Sequence, residues 1–189
     1  MNKLLFITHP EVLIDANVEV THWPLNSIGQ TRIMSFSKYT ILKNVGVIWS
    51  SNEIKAVQTA KILQNTLNIS VSYLENLGEN DRPSTGFVEP NKFDEFANLF
   101  FLTPEKSVMG WETAQQAQQR IVKAYEEVIS ANAKSHSDIA IISHGAVGTL
   151  LYCHLKGLPI SRQYDQPYQG HYWVYDLALK KMQHGWLAI

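Results

Sequence analysis

The sequence predicts an α/β fold, a three-layer αβα sandwich with a mostly parallel central sheet, formed as one domain over residues 1–189. Short apolar runs alternate with longer segments of helical periodicity, which is the pattern of repeated strand–helix–strand units. Two of the apolar runs, L-L-F-I-T-H-P and I-A-I-I-S-H-G, end in a histidine, His9 and His144. Because α/β proteins place their chemistry at the carboxyl ends of parallel strands, both histidines are candidates for a functional site.

The elements follow in order from these periodicities. Strands are predicted over residues 3–8, 45–49, 70–74, 138–143, 172–179 and 183–188, the last two around a turn at Lys180 and Lys181. Helices are predicted over residues 28–42, 53–67, 114–133 and 146–155, with Ser27 and Asn52 as N-caps. Right-handed crossovers then place helices on both faces of the sheet.

Residues 76–111 differ from the rest of the chain. They mix Gly, Pro, Asn and acidic residues with a cluster of phenylalanines. We interpret this segment as a small cap insertion that contains a short helix and lies over the strand ends. The aromatic cluster would suit an apolar or ring-bearing ligand, although phenylalanines at helical spacing more often belong to a core.

Composition narrows the function classes. A formal net charge of −1 gives no basic surface for nucleic acid or membrane binding, so neither partner is expected. The single cysteine, Cys153, lies in an apolar helical run and is expected to be a buried thiol in a reducing compartment. The N-terminal apolar stretch is shorter than a signal peptide, and we expect a cytoplasmic protein. No metal-ligand spacing or Walker-type glycine loop predicts a cofactor.

The S-H-G segment is the stronger of the two histidine sites. His144 precedes Gly145 and an apolar helical run, and backbone N–H groups at a helix start favour a bound anion. A third segment, W-S-S-N-E-I-K-A-V-Q-T-A, ends a strand at Ser51 and places Lys55 in the first turn of a helix. A lysine there can hold a phosphate oxygen, whereas an isolated lysine would be a solvated surface residue.

Together these segments resemble the histidine phosphatase superfamily, the phosphoglycerate-mutase-like proteins. His9 and Glu11 match the family's R-H-G-E motif, and W-P-L-N-S-I-G-Q resembles its P-L-T-x-x-G-x-x-Q segment. S-S-N-E-I-K-A-V-Q-T-A matches S-S-x-x-x-R-A-x-Q-T-A with Lys55 in the arginine position, and I-I-S-H-G matches V-S-H-G. The resemblance implies that His9 is the nucleophile and that His144, in its protonated form, binds the phosphoryl group.

The family's catalytic acid follows the third strand in an L-x-E pattern. Leu77-Gly78-Glu79 fits that pattern, so Glu79 is the expected acid, while Glu75 lies closer to the strand end and remains an alternative. The neighbouring Asp81 could raise the pKa of Glu79. Glu112, in G-W-E-T, resembles the glutamate of the family's G-E-S segment and could orient the pocket or simply begin a helix.

The sequence departs from the family at the first motif, which reads Thr8-His9-Pro10 in place of R-H-G. Thr8 offers one neutral hydrogen bond where arginine offers a charged fork, and Pro10 has no N–H. Losing a preorganised donor to developing charge can cost roughly a hundredfold to a thousandfold in rate. Arg82 in the cap is a candidate replacement cation, or else a surface ion-pair partner of Asp81 or Glu79.

Two further residues complete the sequence-based site. Ser51 and His171 are candidate pocket residues, His171 because it opens the penultimate strand. Arg120 is expected to form a structural ion pair on a long helix.

The resemblance implies a metal-independent phosphomonoesterase that acts through a phosphohistidine on a small phosphorylated metabolite. A mutase uses the same chemistry but must retain its product. The alternative is a family member of little or no activity that binds a phosphorylated ligand or a protein partner. Substrate and oligomeric state do not follow from the sequence.

Overall fold

A computed structural model describes residues 2–82 and 84–189. Its strands and helices follow in the order β1 (Lys3–Thr8), α1 (Ser27–Phe36), β2 (Val45–Ser50), α2 (Ile54–Leu67), β3 (Val71–Tyr73), α3 (Pro90–Leu102), α4 (Ala114–Ala131), β4 (Asp138–Ser143), α5 (Gly145–Lys156), β5 (His171–Asp176) and β6 (Lys181–Ala188). Within the described residues, no helix is long and apolar enough to cross a membrane.

The sheet confirms the predicted α/β class. Its strand order is β3-β2-β4-β1-β5-β6, with β3, β2, β4 and β1 parallel to one another and β5 antiparallel to both of its neighbours. β1 and β4 lie side by side near the middle and are almost wholly buried, which explains why their sequences are continuous apolar runs.

Two apolar cores lie on the two faces of this sheet. Alternate residues of the central strands point to opposite faces, so Leu4 and Phe6 belong to one core while Leu5 and Ile7 belong to the other. The first core packs under α4 and α5, and the second packs under α1 and α2. The three-layer architecture follows from this alternation.

Most predicted boundaries lie within two residues of the observed ones. Five predictions were wrong. α1 ends at Phe36 and is followed by a separate 3₁₀ turn over Thr40–Leu42. The N-cap of α1 is Asn26, whose side chain accepts from the Gly29 N–H. Glu53 rather than Asn52 occupies the N-cap position of α2. β5 ends at Asp176 rather than at residue 179. The turn before β6 ends at Lys180, which has a φ of 50°.

Residues 76–111 contain α3 and join the first core. Phe96 and Phe100 of α3 pack on Trp111, and all three belong to the same apolar cluster as Phe6 of β1. The aromatic residues of this segment therefore serve partly as core, and Phe93, Phe100 and Trp111 also line a cavity beside His9.

Candidate functional site

The two histidines meet because their strands are neighbours. β1 and β4 pair in register from Leu4 with Ile139 to Thr8 with Ser143, so His9 and His144 leave the sheet at the same edge. The His9 N–H donates to the Ser143 carbonyl at 3.1 Å. The imidazole centroids lie 5.2 Å apart, and both rings are buried.

Six of the predicted site residues line one cavity of about 400 Å³ at this edge. They are the predicted catalytic residues His9, Glu79 and His144 and the phosphate-binding candidates Lys55, Arg82 and Gly145. Thr8, the fourth phosphate-binding candidate, is not among the lining residues. Ser51 lines an adjoining, wider cavity of about 970 Å³. The two cavities share Glu79 and Arg82, so they meet at the loop that follows β3.

His9 has the tautomer that a nucleophile requires. Its Nδ1 lies 2.8 Å from the Pro10 carbonyl oxygen, and a carbonyl can only accept, so Nδ1 carries the proton. The lone pair is therefore on Nε2. Burial, together with the positive charge of Lys55, lowers the pKa of His9 to about 4, so the ring is neutral at neutral pH. Pro10 lacks an N–H, yet it supplies the carbonyl that orients the ring.

His144 differs from the prediction in its charge. Burial lowers its pKa well below the ordinary value, so the ring is neutral at neutral pH and is not the imidazolium that the sequence suggested. Its Nε2 lies 2.9 Å from the Ser51 hydroxyl oxygen and 3.3 Å from Oε1 of Glu53. Because an ionised carboxylate only accepts, we assign the proton to Nε2.

Glu79, and not Glu75, reaches into the 400 Å³ cavity. Its carboxylate accepts from the Ala146 and Val147 N–H groups at 3.2 Å each, at the start of α5. The acceptor at this helix start is thus a carboxyl side chain of the protein itself. Burial raises the pKa of Glu79, and the nearby charge that adds to this effect is that of Glu53. The Glu75 side chain is exposed at the rim of the wider cavity.

The loop that carries Glu79 is held by Arg120. The guanidinium donates to the carbonyls of Asn76, Gly78 and Glu79 at 2.9–3.0 Å and forms a two-pronged ion pair with Glu112. Arg120 therefore forms the structural ion pair that the sequence suggested. Glu112 also accepts from the Asp81 N–H at 3.3 Å and lines the wider cavity.

The Arg82 guanidinium stacks on two aromatic side chains of the cap and does not form the exposed ion pair with Asp81. Its guanidinium carbon is 5.1 Å from the Phe93 ring centroid and 5.4 Å from that of Trp111. The charges of Glu79 and Glu53 act on it, while burial lowers its pKa. It lines both cavities.

Among the described residues, Thr8 is not one of those that line either cavity. Its hydroxyl accepts from the His171 N–H at 2.9 Å and donates to Oε1 of Gln166 at 2.7 Å. Gln166 lines the cavity, and a Cβ on Gly145 would lie only 2.5 Å from its Nε2. The amide of Gln166 therefore fills space beside Gly145 that a longer side chain at position 8 would enter.

His171 also lies apart from the cavity. It is buried beside Tyr168, with ring centroids 4.5 Å apart, and among the described residues it is not one of those that line either cavity. Burial lowers its pKa.

Sequence reasoning missed Glu53 and Gln166. Glu53 forms a close ion pair with Lys55 and accepts from the Glu79 N–H at 2.7 Å. The sequence signal that could have identified Glu53 is its position two residues before Lys55. Gln166 lies in the loop before β5, 158 residues after Thr8, and no sequence motif around it indicates a role in the site. Among the described residues, no group of three or more His, Cys, Asp or Glu side chains is arranged to hold a metal ion.

These features define an α/β protein with paired imidazoles, a buried carboxyl and cations around one pocket at the carboxyl ends of its parallel strands. The sequence profile of the histidine phosphatase superfamily (branch 1) matches residues 4–175, and the chain belongs to that superfamily. This confirms the resemblance inferred from the motifs. No curated protein matched the sequence.

Solved structures of low sequence identity share the fold. Bacillus stearothermophilus YhfR is 18% identical, with a TM-score of 0.78 and coverage of 98% of this chain and 95% of its own. Mycobacterial glucosyl-3-phosphoglycerate phosphatase is 14% identical, with a TM-score of 0.80 and coverage of 100% of this chain and 99% of its own. Phosphoserine phosphatase from Entamoeba histolytica, in complex with 3-phosphoglyceric acid, is 17% identical, with a TM-score of 0.77 and coverage of 100% and 98%.

Proposed function

We propose that the protein is a phosphomonoesterase that passes the phosphoryl group of a small phosphorylated substrate through His9 to water. The observation that carries the proposal is the state of His9, which is neutral, has Nδ1 held by the Pro10 carbonyl and lines a cavity with Lys55 and Arg82. A neutral imidazole with a free Nε2 lone pair is a competent nucleophile toward phosphorus.

In the first step, the Nε2 lone pair of His9 forms an N–P bond while the P–O bond to the leaving group breaks. The leaving oxygen takes that electron pair and receives a proton from the Glu79 carboxyl. Burial raises the pKa of Glu79, which favours the protonated form that this step needs. The cations Lys55 and Arg82 offset the charge on the transferring oxygens.

In the second step, water attacks the phosphorus of the phosphohistidine. Glu79, now ionised, takes a proton from that water, and the N–P electron pair returns to Nε2. Inorganic phosphate leaves and His9 is regenerated. His144 is neutral, so it contributes to the phosphoryl oxygens a hydrogen bond from its Nε2–H rather than a full positive charge.

A second candidate function has its own support. Thr8 brings no cation to the pocket, and the charge of Lys55 is paired with that of Glu53. Both observations favour a protein that binds a phosphorylated ligand or a protein partner with little or no turnover.

Turnover on a panel of phosphomonoesters distinguishes the two functions. The native protein and His9→Ala are assayed side by side for phosphate release. We expect release by the native protein on at least one substrate and a loss of at least about a thousandfold in His9→Ala. Equal rates for the two proteins on every substrate would exclude the phosphomonoesterase.

A further inference from the structure

Glu53 places a negative charge beside the donors of the cavity that is proposed to hold phosphate, while its own side chain lines the adjoining wider cavity. The residue precedes α2, and its side chain is 12% exposed. Its Oε2 forms the close ion pair with Lys55, while its Oε1 accepts from the Glu79 N–H at 2.7 Å and lies 3.3 Å from Nε2 of His144. The carboxylate thus has three donors around it, each from a different part of the chain.

These donors are ones that a bound phosphoryl group would need. Lys55 stands at the position of the superfamily's phosphate-binding arginine, and His144 is the second histidine of the pocket. A carboxylate and a phosphate both place negatively charged oxygens on such donors. Burial acts to raise the pKa of Glu53, but its interactions with His144 and Lys55 and the hydrogen bonds from Lys55 and the Glu79 N–H outweigh burial and lower the pKa to about 2, so the side chain is ionised at neutral pH.

Lys55 is held on two sides. Its Nζ donates to the Val20 carbonyl at 2.8 Å as well as to Glu53. A phosphate oxygen that approaches Lys55 must therefore displace the Glu53 carboxylate or lie beside it. Lying beside it brings two negative charges together in a buried site, which is unfavourable.

We propose that Glu53 is a built-in competitor of the phosphoryl group and determines which ligands the pocket accepts. This inference rests on the proposed phosphate pocket but does not require that the protein turns substrate over. Free inorganic phosphate, which has no other contacts to offer, binds weakly. A productive ligand gains its affinity from an organic part that fills the apolar side of the cavity beside Phe93, Phe100 and Trp111.

The test is calorimetric titration of inorganic phosphate into the native protein, Glu53→Gln and Glu53→Ala. Glutamine keeps the shape of the side chain and removes its charge, while alanine removes the side chain. Glu95→Gln, an exposed residue of α3, is the matched control for loss of one negative charge. Circular dichroism and thermal unfolding establish that each variant is folded.

We expect Glu53→Gln and Glu53→Ala to bind phosphate at least about tenfold more tightly than the native protein, and Glu95→Gln to bind it as the native protein does. Adding Lys55→Met to Glu53→Gln should abolish the gain, because the released lysine is the donor. Equal or weaker phosphate binding by folded Glu53→Gln and Glu53→Ala would overturn the inference.

This outcome is independent of the proposed function. Tighter phosphate binding in Glu53→Gln without turnover in any variant supports the competitor and rejects the phosphomonoesterase. Turnover that depends on His9, with unchanged phosphate affinity in both Glu53 variants, supports the enzyme and rejects the competitor.

Discussion

The packing of Gln166 against Thr8 limits which side chain fits at position 8, directly before the candidate nucleophile His9. The Thr8 hydroxyl bonds to the His171 backbone and to Gln166, and Thr8 is wholly buried. Gln166 in turn lies against Gly145. A cation at position 8 therefore has no room unless Gln166 is shortened.

Restoring the arginine of R-H-G by itself should fail. We expect Thr8→Arg to lower the free energy of unfolding by about 1–3 kcal/mol, through overpacking and lost hydrogen bonds, with no gain in phosphate release. Adding Gln166→Ala should open the space and raise kcat/KM by about tenfold or more. Urea unfolding and phosphate-release assays on Thr8→Arg, Gln166→Ala and the double variant check this. Faster turnover by Thr8→Arg alone would contradict the account of Gln166.

At the residue scale, the sequence predicted which groups meet but not their charge. His9, His144, Lys55 and Glu79 follow strand ends or lie next to them, and the parallel sheet brings those ends together. The neutral state of His144 depends on burial by distant parts of the chain, which local sequence does not reveal. The hydrogen bonds of Thr8 likewise depend on a loop more than 150 residues away.

At the element scale, helix α4 supports the loop that carries Glu79. α4 begins with a capping box between Thr113 and Gln116, which fixes its first turn. Further along α4, the Arg120 guanidinium donates to three backbone carbonyls of the loop after β3, those of Asn76, Gly78 and Glu79. Arg120 is therefore a positioning residue for Glu79.

Arg120→Lys should loosen that loop, because lysine keeps the charge but loses the planar fork of donors. We expect kcat to fall by about tenfold or more, KM to change less than kcat, and the free energy of unfolding to drop by about 1–2 kcal/mol. Steady-state kinetics and urea unfolding measure these effects. Lys123→Gln, an exposed change on the same helix, should behave as the native protein. An unchanged kcat in Arg120→Lys would rule out this positioning role.

Elements whose ends are marked by the local sequence were predicted well, whereas an element whose end is not marked in this way was predicted with the wrong length. β1 and β4 were predicted to the residue because continuous apolar runs bounded by polar residues define them. α1 was predicted too long because the apolar Ile41 and Leu42 continue its periodicity. The chain instead leaves the helix at Ser37, whose N–H closes the last turn on Ile33.

At the scale of the whole molecule, the αβα class follows from the alternation of strands and helices, but the distribution of buried charge does not. Two neutral imidazoles and the carboxyl group of Glu79 line one cavity, and the Glu53 carboxylate of the adjoining cavity lies 3.3 Å from His144. Such groups link stability to pH, because the unfolded chain titrates at ordinary values.

His9 should make the native protein less stable in mild acid. Its pKa is about 4 in the folded state and 6.5 in the unfolded chain, so the unfolded state binds the extra proton as the pH falls through 6.5 toward 4. Stability is therefore full above pH 6.5 and declines below it. Between pH 7 and pH 5, the native protein should lose about 2 kcal/mol more unfolding free energy than His9→Gln. Urea unfolding at the two pH values measures the difference, and equal losses would show that His9 is not buried as a neutral ring.

The central claim is that His9 carries the phosphoryl group, and rapid-quench trapping with intact-mass analysis tests it most directly. With an aryl phosphate, whose leaving group departs without a proton from Glu79, Glu79→Gln should accumulate the intermediate, since it retains His9 but lacks the base that activates water. Mixing this variant with the aryl phosphate, followed by an alkaline quench, is predicted to give one added phosphoryl group that maps to His9 and is lost in acid. The same modification should be absent from Glu79→Gln that also carries His9→Ala. A phosphoryl group on another residue, or phosphate release at the native rate by His9→Ala, would contradict the account.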